Sequence, residues 1–332
     1  MEKKSILVIG AGSWGTALAL VLARNGHLTL LWDSMSAHID ALIDDGCNNY
    51  HLAGHNFPEQ LQPVKTLEAL PDELEHVLVV VPCEGLRPVM QQLRDLPFNK
   101  LNICLACKGL EPDTLTLNHL VAAEYFPQQA VAILSGPSFA KEVAEDLPTA
   151  VTIASEDSKL AEDFSALFHC EVFRTYTHDD VVGVQIGGAI KNVMAIAAGI
   201  ADGLHFGANT RAALIARGLS EIMRLGLAMG GRADTFMGLT GLGDLVLTCT
   251  DDLSRNRRFG LALAKGQSPE EAKKEIGQAV EGLRTAKVVC DLAEKFEVDM
   301  PISRQVLKVI NAEITPREAV IELLGRERKA EI

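Results

Sequence analysis

Ile6-Leu7-Val8-Ile9-Gly10-Ala11-Gly12-Ser13-Trp14-Gly15 is the stretch whose reading decides the fold. Its four apolar residues predict a buried strand. Gly-x-Gly-x-x-Gly follows without a spacer, and the Ala/Leu-rich run 16–24 predicts a helix. A glycine pattern between a strand and a helix is a dinucleotide-binding fingerprint; without that context it is only a turn. Gly10 suits the tight turn, Gly12 lets a pyrophosphate approach the backbone, and Gly15 lets helix and strand close up. The helix N-terminus adds free N–H groups and a partial positive charge where phosphates would lie.

The 332 residues are enough for about two domains. With 31 basic and 44 acidic residues the net charge is −13, which argues against nucleic acid or an anionic membrane as partner. A basic pocket for a small anion remains compatible with this balance. The residues before Ile6 are too few for a signal peptide. Seven cysteines without regular spacing fit a reducing, cytoplasmic setting. Cys104-Leu-Ala-Cys107 has the spacing of a redox or metal pair, but no second pair accompanies it and the run is apolar, so core thiols are expected. His51 and His55 fall in a stretch, 46–60, that reads as loop, and no metal site is expected.

Outward from the fingerprint, a second strand at 28–32 ends on Asp33, eighteen residues past Gly15. An acidic residue there commonly bonds the adenosine ribose hydroxyls; the alternative is that Asp33 helps start the next helix, with Ser34 or Ser36 as cap. The wholly apolar run Val77-Leu78-Val79-Val80-Val81 predicts a strand covered on both faces, stopped by Pro82. Strands at 101–106 and 131–134 lead into Lys108-Gly109 and Ser135-Gly136-Pro137-Ser138. Ligands of such sheets bind beyond the carboxyl ends of the strands, which singles out Lys108 and Ser138. Further strands at 151–154 and 172–176 carry the sheet to near His178.

Beyond Asp179 strand signals cease. Ser268-Pro269-Glu270-Glu271 and Thr315-Pro316-Arg317-Glu318 are capping boxes with proline at the first helical position. A helix over 180–204, roughly 38 Å long, is apolar enough to suggest a membrane span. Lys191 and Asn192 in its middle and Asp202 near its end favour a core helix instead. A lysine within an apolar helix, one turn past Gly187 and Gly188, points to a ligand lying against the backbone; an ion pair is the alternative. Gly238-Leu-Thr-Gly241-Leu-Gly243-Asp244 is a glycine-rich turn ending on a carboxylate suited to cap the next helix. Ser254 reads as an N-cap, which puts Arg255 and Asn256 in a helix's first turn. Cations are unfavourable there unless an anion binds, so the pattern suggests a phosphate site.

The expected fold class is therefore α/β: an N-terminal Rossmann-type, mostly parallel sheet domain over 1–178, which binds the dinucleotide, and an all-helical, substrate-binding C-terminal domain over 179–332. At Gly10-Ala-Gly-Ser-Trp-Gly15-Thr-Ala, Lys108-Gly-Leu-Glu111, Ser135-Gly-Pro-Ser-Phe-Ala-Lys-Glu142, Gly187-Gly-Ala-Ile-Lys191-Asn192-Val, Gly241-Leu-Gly-Asp244-Leu, Ser254-Arg-Asn-Arg257 and Val280-Glu281-Gly282 the chain resembles the bacterial-type NAD(P)-dependent glycerol-3-phosphate dehydrogenase family. The resemblance covers nearly the whole chain. It implies reversible oxidation of sn-glycerol 3-phosphate to dihydroxyacetone phosphate, supplying phospholipid synthesis, with Lys191 as proton donor and acceptor. It implies that Lys108, Gly136, Ser138, Lys191, Asp244, Ser254, Arg255 and Asn256 contact the substrate. It further implies that Ser13, Trp14, Lys108, Ala140, Arg255, Ala279 and Glu281 join Gly10, Gly12, Gly15, Asp33 and Ser34 at the cofactor, NAD or NADP. Ser34 stands where members that use NADP often carry Arg or His, so Asp33 predicts a preference for NAD. The partner is a small phosphate-bearing molecule, with no membrane insertion; the oligomeric state stays open, a homodimer included.

Two rivals are distinguishable. A reductase for another hydroxy acid would want a carboxylate site and has no special need for Ser254-Arg255-Asn256. A regulator that senses NAD(H) without turnover would account for the glycines but not for Lys191.

Overall fold

The computed structural model describes residues 3–68, 70–98 and 100–327. It divides into two compact units, Met1–Gln185 and Ile186–Ile332. The first runs β1 (Ser5–Ile9), α1 (Ser13–Arg24), β2 (Leu28–Trp32), α2 (Ser36–Asp45), β3 (Cys47–Asn48), β4 (Leu52–Asn56), β5 (Leu61–Pro63), β6 (His76–Val79), α3 (Leu86–Asp95), β7 (Asn102–Leu105), α4 (Asn118–Tyr125), β8 (Ala132–Ser135), α5 (Ala140–Ala144), β9 (Thr149–Ala154), α6 (Ser158–Phe168) and β10 (Phe173–His178). The helix α7 (Val181–Gly203) starts in it and runs on into the second unit.

Eight strands form one sheet in the order β10-β9-β8-β7-β6-β1-β2-β5. All neighbours are parallel except β8 and β9. The apolar run of β1 is buried on both sides because successive side chains alternate faces. Ile6 and Val8 join Leu18 and Leu22 of α1 and Phe164 and Phe168 of α6 in one core. Leu7 and Ile9 join Leu86 and Met90 of α3 and Val121 of α4 in the other. The chain leaves β1 toward β2 and β5, then returns to β6 on its other side. That reversal is the switch point at which such sheets bind ligands, and the glycine turn follows β1 there.

The expectation of a loop over 46–60 is corrected: β3 and β4 pair antiparallel, and β5 just beyond them adds the far edge strand beside β2. Strands of two to five residues with exposed, polar positions carry no period-2 signal, and Asn48-Asn49 reads as a turn. A tertiary bond organises the segment instead. Asn48 is fully buried, its amide donating to Ala11 O and Thr16 Oγ1, both at 2.8 Å.

The second unit continues α7 and adds α8 (Gly207–Ala228), α9 (Ala233–Met237), α10 (Asp244–Thr250), α11 (Arg255–Ala264), α12 (Pro269–Ile276), α13 (Glu281–Lys295), α14 (Pro301–Ile310) and α15 (Pro316–Leu324). Val181 and Val184, at the start of α7, lie in the core of the sheet unit. The middle of α7 is core as well: Ile190, Val193, Met194 and Ile196 are fully buried, so its apolar composition is spent inside the protein. Ser268 and Thr315 form both capping boxes as expected, closing the starts of α12 and α15.

Candidate active site

The glycine turn shows why its residues are glycines. Gly10 has φ +106°, and a Cβ there would stand 2.4 Å from Val80 O. A Cβ on Gly15 would stand 1.9 Å from Gly10 O. Gly12 is different: a Cβ there would meet nothing within 4 Å, so its backbone faces open space. It is the N-cap of α1 without a side-chain cap, which leaves N–H groups of the first turn for a ligand. Trp14 adds a buried indole Nε1 with no hydrogen-bond partner. An open backbone cradle at a helix N-terminus with an orphaned donor beside it fits a dinucleotide phosphate.

Asp33 is tied to this turn. Its Oδ2 accepts from Ala11 N at 2.9 Å and its Oδ1 from Met35 N at 3.0 Å. Met35 is the N-cap of α2, so neither Ser34, which is exposed, nor Ser36 caps that helix. Ala11 O accepts the Asn48 amide and also meets His38 Nε2 at 3.2 Å, where the ring nitrogen is the donor. Ser13 Oγ donates to His51 O at 2.8 Å. Asn48 and His51 thus join the rim of the turn although they stand more than thirty residues downstream, a placement no local spacing reveals.

Lys108 and the 136–138 turn come together at the carboxyl ends of β7 and β8. Lys108 Nζ donates to Gly136 O at 3.2 Å and stands 5.7 Å from the Trp14 ring centroid; Ser138 Oγ donates to the same carbonyl at 3.0 Å. Ala140 opens α5, half-buried, just beyond. The buried amide of Asn118 holds the Lys108 loop through Cys107 O (3.3 Å) and Gly109 O (3.2 Å). Glu111 closes that loop. Burial alone would push its carboxyl up, but the bonds from Thr114 and the Arg87 guanidinium outweigh this and hold it below the usual range. Cys104 is fully buried in β7, and burial drives its thiol far above the ordinary range, as a core thiol requires.

In the second unit Lys191 and Asp244 form a buried ion pair. The expectation that Gly187 makes room for a ligand is corrected: a Cβ there would stand 2.6 Å from Thr240 O. Gly187 instead lets a π-helical turn, Leu239–Gly243, press against α7 and deliver Asp244 to the lysine. Asp244 does not cap α10 either, for Gly243 holds the N-cap position and the carboxylate turns to Lys191. The ion pair foreseen as the alternative is therefore present. Stability alone is a weak account of it, because desolvating both charges offsets most of their attraction. Thr240 Oγ1, in the adjoining turn, is buried without a hydrogen-bond partner.

Beside Lys191 runs a chain of amides. Asn192 Nδ2 donates to Glu281 Oε2 at 3.0 Å, Asn256 Nδ2 to Asn192 Oδ1 at 2.9 Å, and Gly282 N to Asn256 Oδ1 at 2.9 Å. Asn256 keeps one amide hydrogen for another acceptor. Ser254 caps α11 through Arg257 N (3.2 Å). Arg255, the first residue of that helix, reaches only a 3.4 Å contact with Gln278 Oε1, next to exposed Ala279. A half-buried guanidinium at a helix N-terminus, with an acceptor this weak, has the charge and the position to pair with an anion.

The sequence motifs thus converge on one cluster in each unit. The first holds the glycine turn, Trp14, Asp33, Lys108, Gly136 and Ser138. The second holds Lys191, Asp244, Ser254, Arg255, Asn256 and Glu281. Comparison with known proteins identifies the family. Residues 5–161 match the model of the NAD-dependent glycerol-3-phosphate dehydrogenase N-terminus, and residues 180–321 that of its C-terminus. The glycerol-3-phosphate dehydrogenase [NAD(P)+] of Nitrosococcus oceani is 52% identical over 331 residues, 99% of this chain and 96% of that one. The enzyme of the same name from Thioalkalivibrio sulfidiphilus is 51% identical over the full length of both chains. The crystal structure of glycerol-3-phosphate dehydrogenase from Coxiella burnetii superposes with a TM-score of 0.94 at 46% identity, covering 98% of this chain and 99% of that one. A 2-dehydropantoate 2-reductase from Methylococcus capsulatus, at 15% identity and TM-score 0.61 over 98% of each chain, shares the fold alone.

Proposed function

Because the chain belongs to the NAD-dependent glycerol-3-phosphate dehydrogenase family, we propose that it interconverts sn-glycerol 3-phosphate and dihydroxyacetone phosphate with NAD or NADP. The observation that carries the reading is the Lys191–Asp244 pair, a titratable group in a desolvated helix beside an anion-ready helix N-terminus. A bound nicotinamide supplies or takes the hydride at the carbinol carbon. Lys191 moves the proton: as ammonium it protonates the ketone oxygen, and as amine it takes the hydroxyl proton in reverse. Asp244 orients its Nζ and balances its charge. Arg255 and the first turn of α11 take the phosphate, with Ser254 and Asn256 beside them. Binding energy gathered there, away from the reacting carbon, aligns that carbon for reaction. Lys108, Gly136 and Ser138 add substrate contacts on the sheet unit.

Gly10, Gly12, Ser13, Trp14 and Gly15 suit the cofactor's pyrophosphate, and Asp33 its adenosine ribose. Lys108, Ala140, Arg255, Ala279 and Glu281 complete the cofactor set. The first unit is then the dinucleotide-binding half and the second the substrate half. In a cytoplasmic setting the reductive direction supplies phospholipid synthesis. The test is an initial-rate assay of pure protein with dihydroxyacetone phosphate and NADH or NADPH, followed at the nicotinamide absorbance. Reduction of dihydroxyacetone phosphate, with no turnover of a 2-oxo acid, is expected. Turnover of the oxo acid alone would reassign the substrate.

A further inference from the structure

Arg257 follows the proposed phosphate ligands Ser254, Arg255 and Asn256, yet it turns away from them. It is 8% exposed. Its Nη2 donates to Asp202 Oδ2 at 2.6 Å, and its Nη1 pairs with Asp252, in the loop that leads into α11. Its Nε is buried without a hydrogen-bond partner. Asp202 Oδ2 also accepts from Arg211 Nη1 at 3.0 Å. Asp202 belongs to α7, about three turns beyond Lys191.

The helices that Arg257 joins touch backbone to backbone. A Cβ on Gly199 of α7 would stand 2.0 Å from Arg257 O, and one on Gly260 of α11 would stand 2.1 Å from Ile196 O. The Asn192–Asn256 bond closes the same interface beside Lys191. With no side chains between them, the spacing of the two helices is set by backbone contact. The bracket of Asp202, Arg257 and Asp252 fixes the remaining freedom, the position of α11 along α7 and the path of the loop that enters it.

We propose that Arg257 is a positioning residue for the substrate phosphate. Through Asp202 and Asp252 it sets the distance between the α11 N-terminus, where the phosphate binds, and Lys191, where the proton moves. The inference rests on the phosphate reading of Arg255 given above. In a three-carbon phosphate the reacting carbon and the phosphorus are a fixed, short distance apart. A helix displaced by a fraction of an ångström can then engage one end or the other, but not both. A buried ion pair contributes little net stability, and its best-attested use is to fix register, which is what this bracket does.

The experiment compares wild type with Arg257→Gln, Arg257→Lys and Asp252→Asn, each checked for an unchanged fold by thermal midpoint. Dihydroxyacetone phosphate and unphosphorylated dihydroxyacetone are the substrates, at saturating NADH. Arg257→Gln is expected to raise KM for dihydroxyacetone phosphate about tenfold or more, with kcat within about threefold. KM for NADH and kcat/KM for dihydroxyacetone should stay within about twofold. Arg257→Lys should restore part of the loss, since it keeps the charge without the two-pronged grip. Asp252 is exposed, so Asp252→Asn should fold normally and repeat the pattern at about threefold. An equal loss for both substrates, or unchanged KM in both Arg257→Gln and Asp252→Asn, overturns the positioning role. Should Arg257→Gln not fold, Asp252→Asn decides alone. A wild-type protein that does not reduce dihydroxyacetone phosphate refutes the functional reading itself, before any variant is compared.

Discussion

Lys191 and Asp244, 53 residues apart in the chain, meet as a buried ion pair between the middle of α7 and the first residue of α10. The backbone permits this because Gly187 lets the π-helical turn before Asp244 lie against α7.

Removing one member takes the opposite charge away from the other in a buried site. Asp244→Ala should destabilise the protein by about 3–5 kcal/mol, and Asp244→Asn by less because the amide still accepts a hydrogen bond. Both should lower kcat more than they raise the KM for the cofactor. Paired thermal melts and steady-state kinetics check this, and an Asp244→Asn enzyme with wild-type kcat would remove Asp244 from the proton-transfer site.

Arg255→Ala should weaken glycerol 3-phosphate by about 100-fold or more in kcat/KM, the scale of a lost charge-assisted pair. Free glycerol, which has no phosphate to lose, should be almost unaffected. Equal losses on the two substrates would assign Arg255 to folding instead.

Asp33 should make NADH preferred over NADPH by about tenfold, which needs only about 1.4 kcal/mol. A carboxylate accepts from the ribose 2′- and 3′-hydroxyls and repels a 2′-phosphate. Its bonds to Ala11 N and Met35 N hold it at the glycine turn, and each oxygen retains a lone pair for a ribose hydroxyl. Competition kinetics with both reduced cofactors should show the ratio shifting toward NADPH in Asp33→Gly. A wild-type preference for NADPH, or no shift on removing Asp33, would show that this carboxylate does not read the ribose.

Glu221 of α8 gives a prediction about stability. Its buried carboxylate accepts from Ile302 N (2.5 Å), Ser303 N (3.1 Å) and Ser303 Oγ (2.9 Å), closing the start of α14. Burial pushes its carboxyl above the ordinary value of 4.5, more than these bonds pull it down. The folded protein then holds this proton more tightly than the unfolded chain. Wild-type stability relative to Glu221→Ala should therefore fall as pH rises above about 4.5 and level off past the folded value. At neutral pH the variant should still lose about 1–3 kcal/mol, from the orphaned N–H groups. Denaturant melts between pH 4 and 8 check both; a margin that grows with pH would contradict the account.

Much of the frame is legible in the chain because the deciding signals are local. The apolar run before Gly10 marks β1, the glycine spacing marks the turn, and the proline-bearing capping boxes mark the first residues of α12 and α15. Lys191 stands out because an apolar helix rarely carries a lysine. What stays hidden is whatever depends on contacts distant in sequence. Asn48 reads as a turn residue, yet it is buried against the glycine turn by bonds to Ala11 and Thr16. Gly187 reads as space for a ligand, yet Thr240 O fills that space. Asp244 reads as a helix cap and, through the family resemblance, as the group that orients Lys191 or the substrate hydroxyls; the packing of its turn on α7 brings it to Lys191 and not to the cap. For Asn48 and Gly187 the local chemistry is visible in the sequence and the partner is not.

The most direct test of the account is the turnover of Lys191→Met, a substitution that keeps the apolar stem of the side chain and removes its nitrogen. In this variant kcat for dihydroxyacetone phosphate should fall by about 100-fold or more, the usual scale for a lost general acid–base. NADH affinity, measured by fluorescence titration, should change little. A Lys191→Met enzyme that turns over at close to the wild-type rate would contradict it.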